Sequence, residues 1–171
     1  MGEMRRRLPW WRRLAAALAP TPPDRGQRLA AHYAAEIRLA AALAREAESL
    51  TPYPLARRRI LEAAERARSR AQRVRRALEE AGYPAPEPAP PNGSRSPMGW
   101  EGLRSSVREL SGTSDAYLAD AYAMERWHPD LAELFHELHR ESAESRRDLV
   151  WLLARIPNTA LPAAPGQGLA A

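Results

Sequence analysis

Apolar side chains recur at alternating spacings of four and three residues along four segments of the chain. This spacing places them on one face of an α-helix and predicts four amphipathic helices that share a core. We expect these helices at about 24–50, 54–81, 100–127 and 130–156. No stretch shows the sustained apolar–polar alternation that is typical of a β-strand, so the predicted fold is an all-α four-helix bundle.

Each predicted helix has a line of residues that faces the core. The inward positions are Leu29, Tyr33, Glu36, Ala40, Leu43, Ala47 and Leu50; then Ile60, Ala64, Ala67, Ala71, Val74 and Leu78; then Leu103, Val107, Leu110, Ser114, Tyr117, Ala121 and Met124; and finally Leu131, Phe135, Leu138, Ser142, Ser145, Leu149, Leu152 and Ile156. Glu36 is an inward carboxylate at mid-helix, and His32 lies one turn before it. We predict that these two side chains form a satisfied buried polar pair.

Prolines mark the connections between the helices. Thr51–Pro54 ends the first helix and opens the second, because proline is tolerated in a first turn and breaks a helix interior. His128–Asp130 makes the next turn. The linker 82–99 is rich in proline and glycine, and about 17 extended residues can span roughly 55 Å. A helix of about 27 residues is about 40 Å long, so the linker is predicted to cross the full length of the bundle.

The two ends of the chain are predicted to be arms outside the bundle. Residues 1–23 form a basic arm rich in tryptophan and arginine, and residues 157–171 form an arm rich in proline, alanine and glycine. The net charge of the chain is +5, and four units of it lie in the first arm. The absence of cysteine excludes disulfides and thiolate chemistry and favours a reducing cytoplasm as the compartment.

A duplicated phrase links the two predicted hairpins. The sequence EAAERAR at Glu62–Arg68 returns as ESAESRR at Glu141–Arg147, 79 residues further on. The same shift superposes Ala35–Glu46 on Ser114–Glu125 and pairs Glu36 with Asp115. With its long crossover, the chain resembles the ferritin-like superfamily over about 24–156, in the style of the rubrerythrin-type bundles. This resemblance implies two hairpins related by an internal repeat.

The resemblance also implies a site for two iron or manganese ions, made by one Glu on the first helix of each hairpin and a Glu-x-x-His on the second. This chain has Glu62-x-x-Glu65 and Glu141-x-x-Glu144 instead, and helical phase turns both pairs away from the core. We therefore predict no metal and no cofactor. A carboxylate-rich site stays open as the alternative, with a metal-dependent oxidoreductase or metal storage as its function. Its candidate ligands are Glu36, Glu62, Glu65, Asp115, Glu141, Glu144 and His32.

The repeated carboxylates have a simpler interpretation as surface ion pairs. Glu62 and Arg66 are four residues apart, and Glu65 and Arg68 are three apart, which suits pairs on the outside of a helix. Glu133-x-x-His136 lies near a turn and off the inward line, so we expect exposed side chains there. The chain has no Gly-rich phosphate loop, no Gly-x-Ser-x-Gly and no His-Glu-x-x-His. The sequence therefore does not favour an enzyme.

The basic arm carries the clearest binding signal. Its two adjacent tryptophans stand among arginines and are followed by leucines at helical spacing. Tryptophan prefers the lipid headgroup boundary, arginine is attracted to anionic lipid, and both types also anchor protein interfaces. A membrane surface, a groove on a protein partner and a plain cationic tail all stay open. The candidate anchor residues are Arg5, Arg6, Arg7, Trp10, Trp11, Arg12, Arg13, Leu14 and Leu18.

These observations predict a non-catalytic bundle that works as a docking or assembly subunit of a larger complex. Its partners would be proteins, with an anionic membrane surface and a second copy of the chain left open. The expected location is the cytoplasm, peripheral on the cytoplasmic membrane face if the arm binds lipid. The second helix carries nine arginines against four acidic residues, yet acidic neighbours in the bundle can neutralise them, so nucleic acid is not favoured.

Overall fold

Four α-helices make up the computed structural model, which describes residues 23–87 and 99–155. They are α1 (Arg25–Ser49), α2 (Pro54–Glu80), α3 (Trp100–Met124) and α4 (Pro129–Ala154). Within the described ranges no strand forms. The all-α four-helix prediction is therefore confirmed.

The helix ends follow local backbone chemistry. The Asp24 carboxylate accepts a hydrogen bond from the Gln27 backbone N–H at 3.0 Å and so caps α1. Proline occupies the first turn of α2, as expected, and also the first turn of α4, which begins at Pro129, one residue before its predicted start. The predicted α3 was three residues too long: the helix ends at Met124, where the backbone N–H groups of Trp127 and His128 both donate to the Met124 carbonyl and close a turn. The predicted end of α4 at Ile156 lies outside the described residues.

The helices pack as a square in which α1 contacts α2 and α3, and α4 contacts the same two helices. Arg28 near the start of α1 contacts Asp120 near the end of α3, so these two helices run antiparallel. Arg66 of α2 pairs with Asp148 of α4, and Arg73, further along α2, pairs with the earlier Glu141, so α2 and α4 are antiparallel too. The end of α2 lies beside the start of α1, where an Arg25 nitrogen is 3.5 Å from the Ala81 carbonyl. α3 starts at the opposite end of the bundle, so the two helix ends that the predicted crossover joins lie at opposite ends of the bundle.

The core consists of two apolar clusters with a polar layer between them. One cluster is built around Leu43, Ile60 and Leu103, and the other around Leu29, Leu78 and Phe135. Along α1 the two clusters are separated by Glu36, and along α2 by Arg70. All predicted inward positions of α1 and α2 are buried. In α3 and α4 the described inward positions are also buried, except the half-buried Val107 and Leu131.

Candidate functional site

The carboxylates predicted as alternative metal ligands do not come together. Glu36 is fully buried at the centre, whereas Glu62 and Glu141 are half-exposed and Glu65 is exposed. Asp115 and Glu144 also face solvent. In residues 23–87 and 99–155, no group of three His, Cys, Asp or Glu side chains is placed to hold a metal ion. The site that the structure does contain is built differently.

Glu36 of α1 and Arg70 of α2 form a buried ion pair at the centre of the bundle. Arg70 Nε donates to Glu36 Oε1 at 2.8 Å, and Arg70 Nη2 donates to Oε2 at 3.0 Å. The two side chains are 0% and 1% exposed. The Tyr117 hydroxyl donates to Glu36 Oε1 at 3.1 Å, and Arg70 Nη1 reaches Ser145 Oγ at 3.4 Å. The polar layer thus joins all four helices.

The charges of this layer are held in a fixed state. Burial raises the pKa of Glu36, while the Arg70 charge and the hydrogen bonds from Arg70 and Tyr117 act against that rise. A guanidinium does not lose its proton, and a buried one without a counter-charge is very costly, so Glu36 is the carboxylate at neutral pH. Burial, followed by the Glu36 charge, raises the pKa of Tyr117 well above its ordinary value, and the phenol remains a donor.

This arrangement leaves the Glu36 carboxylate with little capacity for other chemistry. It accepts three hydrogen bonds, two of which come from a permanent cation. A hard divalent ion needs several free oxygen or imidazole ligands, and here a guanidinium already neutralises the central carboxylate. The centre is therefore suited to holding the four helices in register.

His32 belongs to a second cluster, on the α1–α3 face. Its ring stacks on Tyr117 with centroids 4.2 Å apart, and its Nε2 lies 2.8 Å from Asp120 Oδ2. The other Asp120 oxygen contacts Arg28. Burial, and then the nearby Arg28 charge, lower the pKa of His32 to about 4. His32, Asp120 and Arg28 line an open groove of about 560 Å³ between α1 and α3.

The predicted pairing of Glu36 with His32 was wrong, because each side chain has a partner on another helix. Arg70, Asp120 and Arg28 were not among the predicted site residues. A usable signal for Arg70 exists: Ala63, Arg70 and Ala77 recur every seven residues beside the inward line of α2, and all three are buried. An arginine between two alanines on that row indicates a buried cation that needs a carboxylate, and Glu36 is available. Asp120 has no comparable pattern around it.

The surface pairs follow the prediction only in part. Glu65 pairs with Arg68 at 2.9 Å, as expected. The Glu62–Arg66 pair was wrong: Glu62 contacts Arg58 at 2.9 Å. Arg66 instead reaches Asp148 of α4, also at 2.9 Å, because its position faces the neighbouring helix. The positive charge of α2 is thus offset partly by acidic residues of α4, which also contact Arg73 through Glu137 and Glu141.

Two histidines of α4 contact residues of α3. His136 lies half-exposed, 3.5 Å from Glu125, and stacks edge-on against Tyr122. His139 Nδ1 lies 2.9 Å from the Ser114 carbonyl. Glu133 forms no ion pair among the described residues. The exposed interpretation of Glu133-x-x-His136 is consistent with this placement.

An apolar groove at one end of the bundle was not predicted. We call it the aromatic groove; it holds about 340 Å³ and is lined by Pro52, Tyr53, Pro54, Leu55, Ala56, Trp100, Trp151, Leu152 and Arg155. Tyr53 and Trp100 meet edge to face, with centroids 5.4 Å apart, and the Arg155 guanidinium lies 3.9 Å from the centroid of the Trp151 ring. Trp151 is 47% exposed. The apolar periodicity did not identify Trp151, because this residue lies beside the inward-facing positions of α4.

The candidate anchor residues Arg5 to Leu18 lie outside the described residues. Among the helices that the structure does describe, none combines the length and hydropathy needed to cross a membrane. Comparisons with protein-family models, with curated proteins and with solved structures find no match to this chain.

Proposed function

We propose that this protein is a non-catalytic, ferritin-like helical bundle that acts as a docking or assembly subunit of a larger complex. The observation that carries the proposal is the Glu36–Arg70 pair. It puts a permanent cation at the bundle centre, where the resemblance implies a pair of metal ions. A bundle with this centre supplies a rigid body of about 40 Å, which is the length of its helices.

The connectivity supports the ferritin-like part of the proposal. Each helix contacts its hairpin partner and one helix of the other hairpin, and a single long crossover is needed between α2 and α3. Four-helix bundles with one such crossover include the ferritin-like folds. The metal-binding alternative has less support, because its candidate ligands form no group of three that could hold a metal ion in the described residues.

The docking part of the proposal depends on two surfaces with anchor-type residues. One is the basic arm with Trp10, Trp11 and its arginines, for which the partner is a protein or an anionic membrane surface on the cytoplasmic side. The other is the aromatic groove, since apolar surface that a bundle leaves open commonly marks a contact site. Perturbed pKa values are typical of catalytic groups, but here Glu36, Tyr117 and His32 each contact another side chain of the bundle.

Metal analysis tests the non-catalytic assignment. The full chain is incubated with ferrous or manganous ion, dialysed and analysed for bound metal, in parallel with the Glu36→Ala variant. We expect less than stoichiometric metal and no difference between the two proteins. Stoichiometric iron or manganese that is lost in Glu36→Ala would overturn the proposal in favour of a metal-binding protein.

Vesicle flotation tests the arm. The full chain is mixed with vesicles that contain anionic lipid, and binding is compared with a Trp10→Ala, Trp11→Ala variant. Trp127→Ala is the matched control, because this tryptophan lies in the turn before α4. We expect weaker flotation only for the double variant, and a further loss at high salt as charge attraction is screened. Equal flotation of all three proteins would remove the membrane from the proposal.

A further inference from the structure

The aromatic groove lies at the end of the bundle where α2 and α3 begin and α4 ends. Tyr53 and Leu55 come from the start of α2, Trp100 opens α3, and Trp151 lies in the last turn of α4. Leu55 is 65% exposed and Trp151 nearly half-exposed, so a large apolar area faces outward at this one end. Its lining is mainly apolar, with Arg155 at the rim.

The groove also contains a polar atom that lacks a partner. Trp100 is 6% exposed, and its indole Nε1–H is buried without a hydrogen-bond acceptor among the described residues. A buried donor of this kind costs free energy unless an acceptor reaches it, and indole N–H groups usually have one when buried. The groove therefore suits a segment that brings apolar side chains together with a carbonyl oxygen.

The chain itself continues from the rim of this groove. Arg155 is both a lining residue and the last described residue, and residues 156–171 follow it directly. Those 16 residues contain no charged side chain. Their apolar groups include Ile156 and Leu161, and Pro162 and Pro165 stand three apart. Proline-rich segments favour an extended conformation that packs on aromatic surfaces and leaves its carbonyls free to accept.

We propose that residues 156–171 fold back onto the aromatic groove of the same chain. Leu161 and the Pro162–Pro165 stretch pack against Tyr53 and Trp151, and a backbone carbonyl of the segment accepts the Trp100 indole N–H. The six residues from Ile156 to Leu161 can span about 20 Å when extended, which is enough to turn and cover the groove. Because the segment is tethered close to the groove, its effective concentration there is in the millimolar range. A free peptide would have to exceed that concentration to compete for the groove at equal affinity.

Charge and distance both favour this segment over the basic arm. The arm carries five arginines, which the Arg155 guanidinium and the neighbouring Arg57 and Arg58 would repel. The arm also enters the bundle at the start of α1, close to Ala81 and so at the far end from the groove. The uncharged segment meets neither obstacle. A partner that uses the groove would have to displace the docked segment.

The experiment uses the full chain, which has no native cysteine. Ala164→Cys is labelled with a nitroxide, and the indole N–H signals of 15N-tryptophan are recorded before and after reduction of the label. We expect a severalfold loss of the Trp100 and Trp151 signals in the oxidised state. The Trp127 signal should persist, because α3 places this residue about 37 Å from the groove end.

A second substitution separates docking from simple tethering. Leu161→Asp in the labelled chain should restore the Trp100 and Trp151 signals, whereas Leu169→Asp, farther from the proposed contact, should restore them less. If the signal loss is unchanged by Leu161→Asp, the segment is merely close by and the proposal is overturned. A mixture of nitroxide-labelled chain with unlabelled, 15N-containing chain should show no loss. Loss in that mixture would assign the groove to a second copy and also overturn the proposal.

Discussion

The guanidinium of Arg70 donates two hydrogen bonds, of 2.8 and 3.0 Å, to the carboxylate of Glu36 in the buried centre of the bundle. The pair connects α1 to α2, and Tyr117 and Ser145 extend it to α3 and α4. A buried ion pair adds little net stability over apolar residues of the same size, but losing one partner leaves a buried charge. The pair therefore gives the helices a fixed register more than it gives stability.

Removal of either charge is expected to destabilise the fold strongly. Glu36→Gln and Arg70→Met should each lower the free energy of unfolding by about 3–5 kcal/mol, because the remaining charge is left buried. The combined Glu36→Leu, Arg70→Met variant should recover most of that loss. Chemical denaturation measures all three. Arg66→Met, which breaks an exposed pair with Asp148, is the control and should change stability by no more than about 1 kcal/mol. Single variants as stable as the control would contradict this account.

The hydroxyl of Tyr117, which belongs to the same polar layer, should make a measurable contribution to the free energy of unfolding. Tyr117→Phe removes a hydrogen bond to a charged acceptor and is expected to cost about 1.5–3 kcal/mol of unfolding free energy. Tyr122→Phe serves as the matched control in the same helix, because Tyr122 is exposed. The difference between the two variants in urea unfolding gives the contribution. If both variants behave alike, the hydroxyl contributes nothing to the layer.

Acid should weaken the fold through His32. Its pKa falls from the ordinary 6.5 to about 4 in the folded state, so between these values the unfolded chain binds more protons. Stability is therefore fully present above pH 6.5 and decreases as pH falls towards 4, by about 3 kcal/mol in total. The Asp120 carboxylate, which faces the ring at 2.8 Å, acts against this lowering and limits the size of the loss.

A matched pair of variants isolates that contribution. In His32→Gln no group titrates at this position, so the decrease in stability from pH 6.5 to 4 should be smaller than in the original chain. His136→Gln, at a half-exposed histidine of α4, controls for the loss of an imidazole as such. The comparison also cancels Glu36, whose raised pKa contributes in the opposite sense: its stability is present in acid and decreases as pH rises. Equal slopes for His32→Gln and the original chain would contradict the assignment.

The fold was largely predictable because its information is local. Spacings of four and three placed every described inward residue of α1 and α2 correctly, and prolines located the two hairpin turns. The end of α3 was less accurate, because a turn closed on the Met124 carbonyl replaces the last predicted residues of the helix. Residues that the 79-residue repeat makes equivalent are not equally buried. It pairs Glu36, which is fully buried, with Asp115, which is exposed.

The polar contacts were not predictable to the same extent, because they depend on how facing helices are aligned. The spacing of four and three marks only two inward positions in every seven residues. Ala63, Arg70 and Ala77 occupy a third position of the repeat, beside those two, and are also buried. The His32–Asp120 contact depends on the alignment of α1 against α3, and nothing in one sequence fixes that alignment. The aromatic groove likewise forms only when the ends of three helices meet.

Glu46 and Gly102 show why α3 begins as it does. The Gly99 cap offers no side chain, and the Glu46 carboxylate of α1 takes that role by accepting the Gly99 backbone N–H. Burial raises the pKa of Glu46, and the Gly99 hydrogen bond acts against that rise. The carboxylate lies where a side chain at position 102 would stand, about 2.2 Å from an ideal Cβ. Glycine at this position leaves room for a negative charge beside the positive end of the helix dipole.

Gly102→Ala should therefore destabilise the protein, although alanine is the better helix former by about 1 kcal/mol. The added methyl group pushes the Glu46 carboxylate off the start of α3, and we expect a net loss of about 1–2 kcal/mol of unfolding free energy. Gly112→Ala is the control: that position has open space and should gain up to about 1 kcal/mol. In a Glu46→Ala background the collision is absent, so Gly102→Ala should become stabilising. Denaturant unfolding of the four proteins measures this coupling, and a Gly102→Ala effect that is the same in both backgrounds would show that Glu46 does not cap α3.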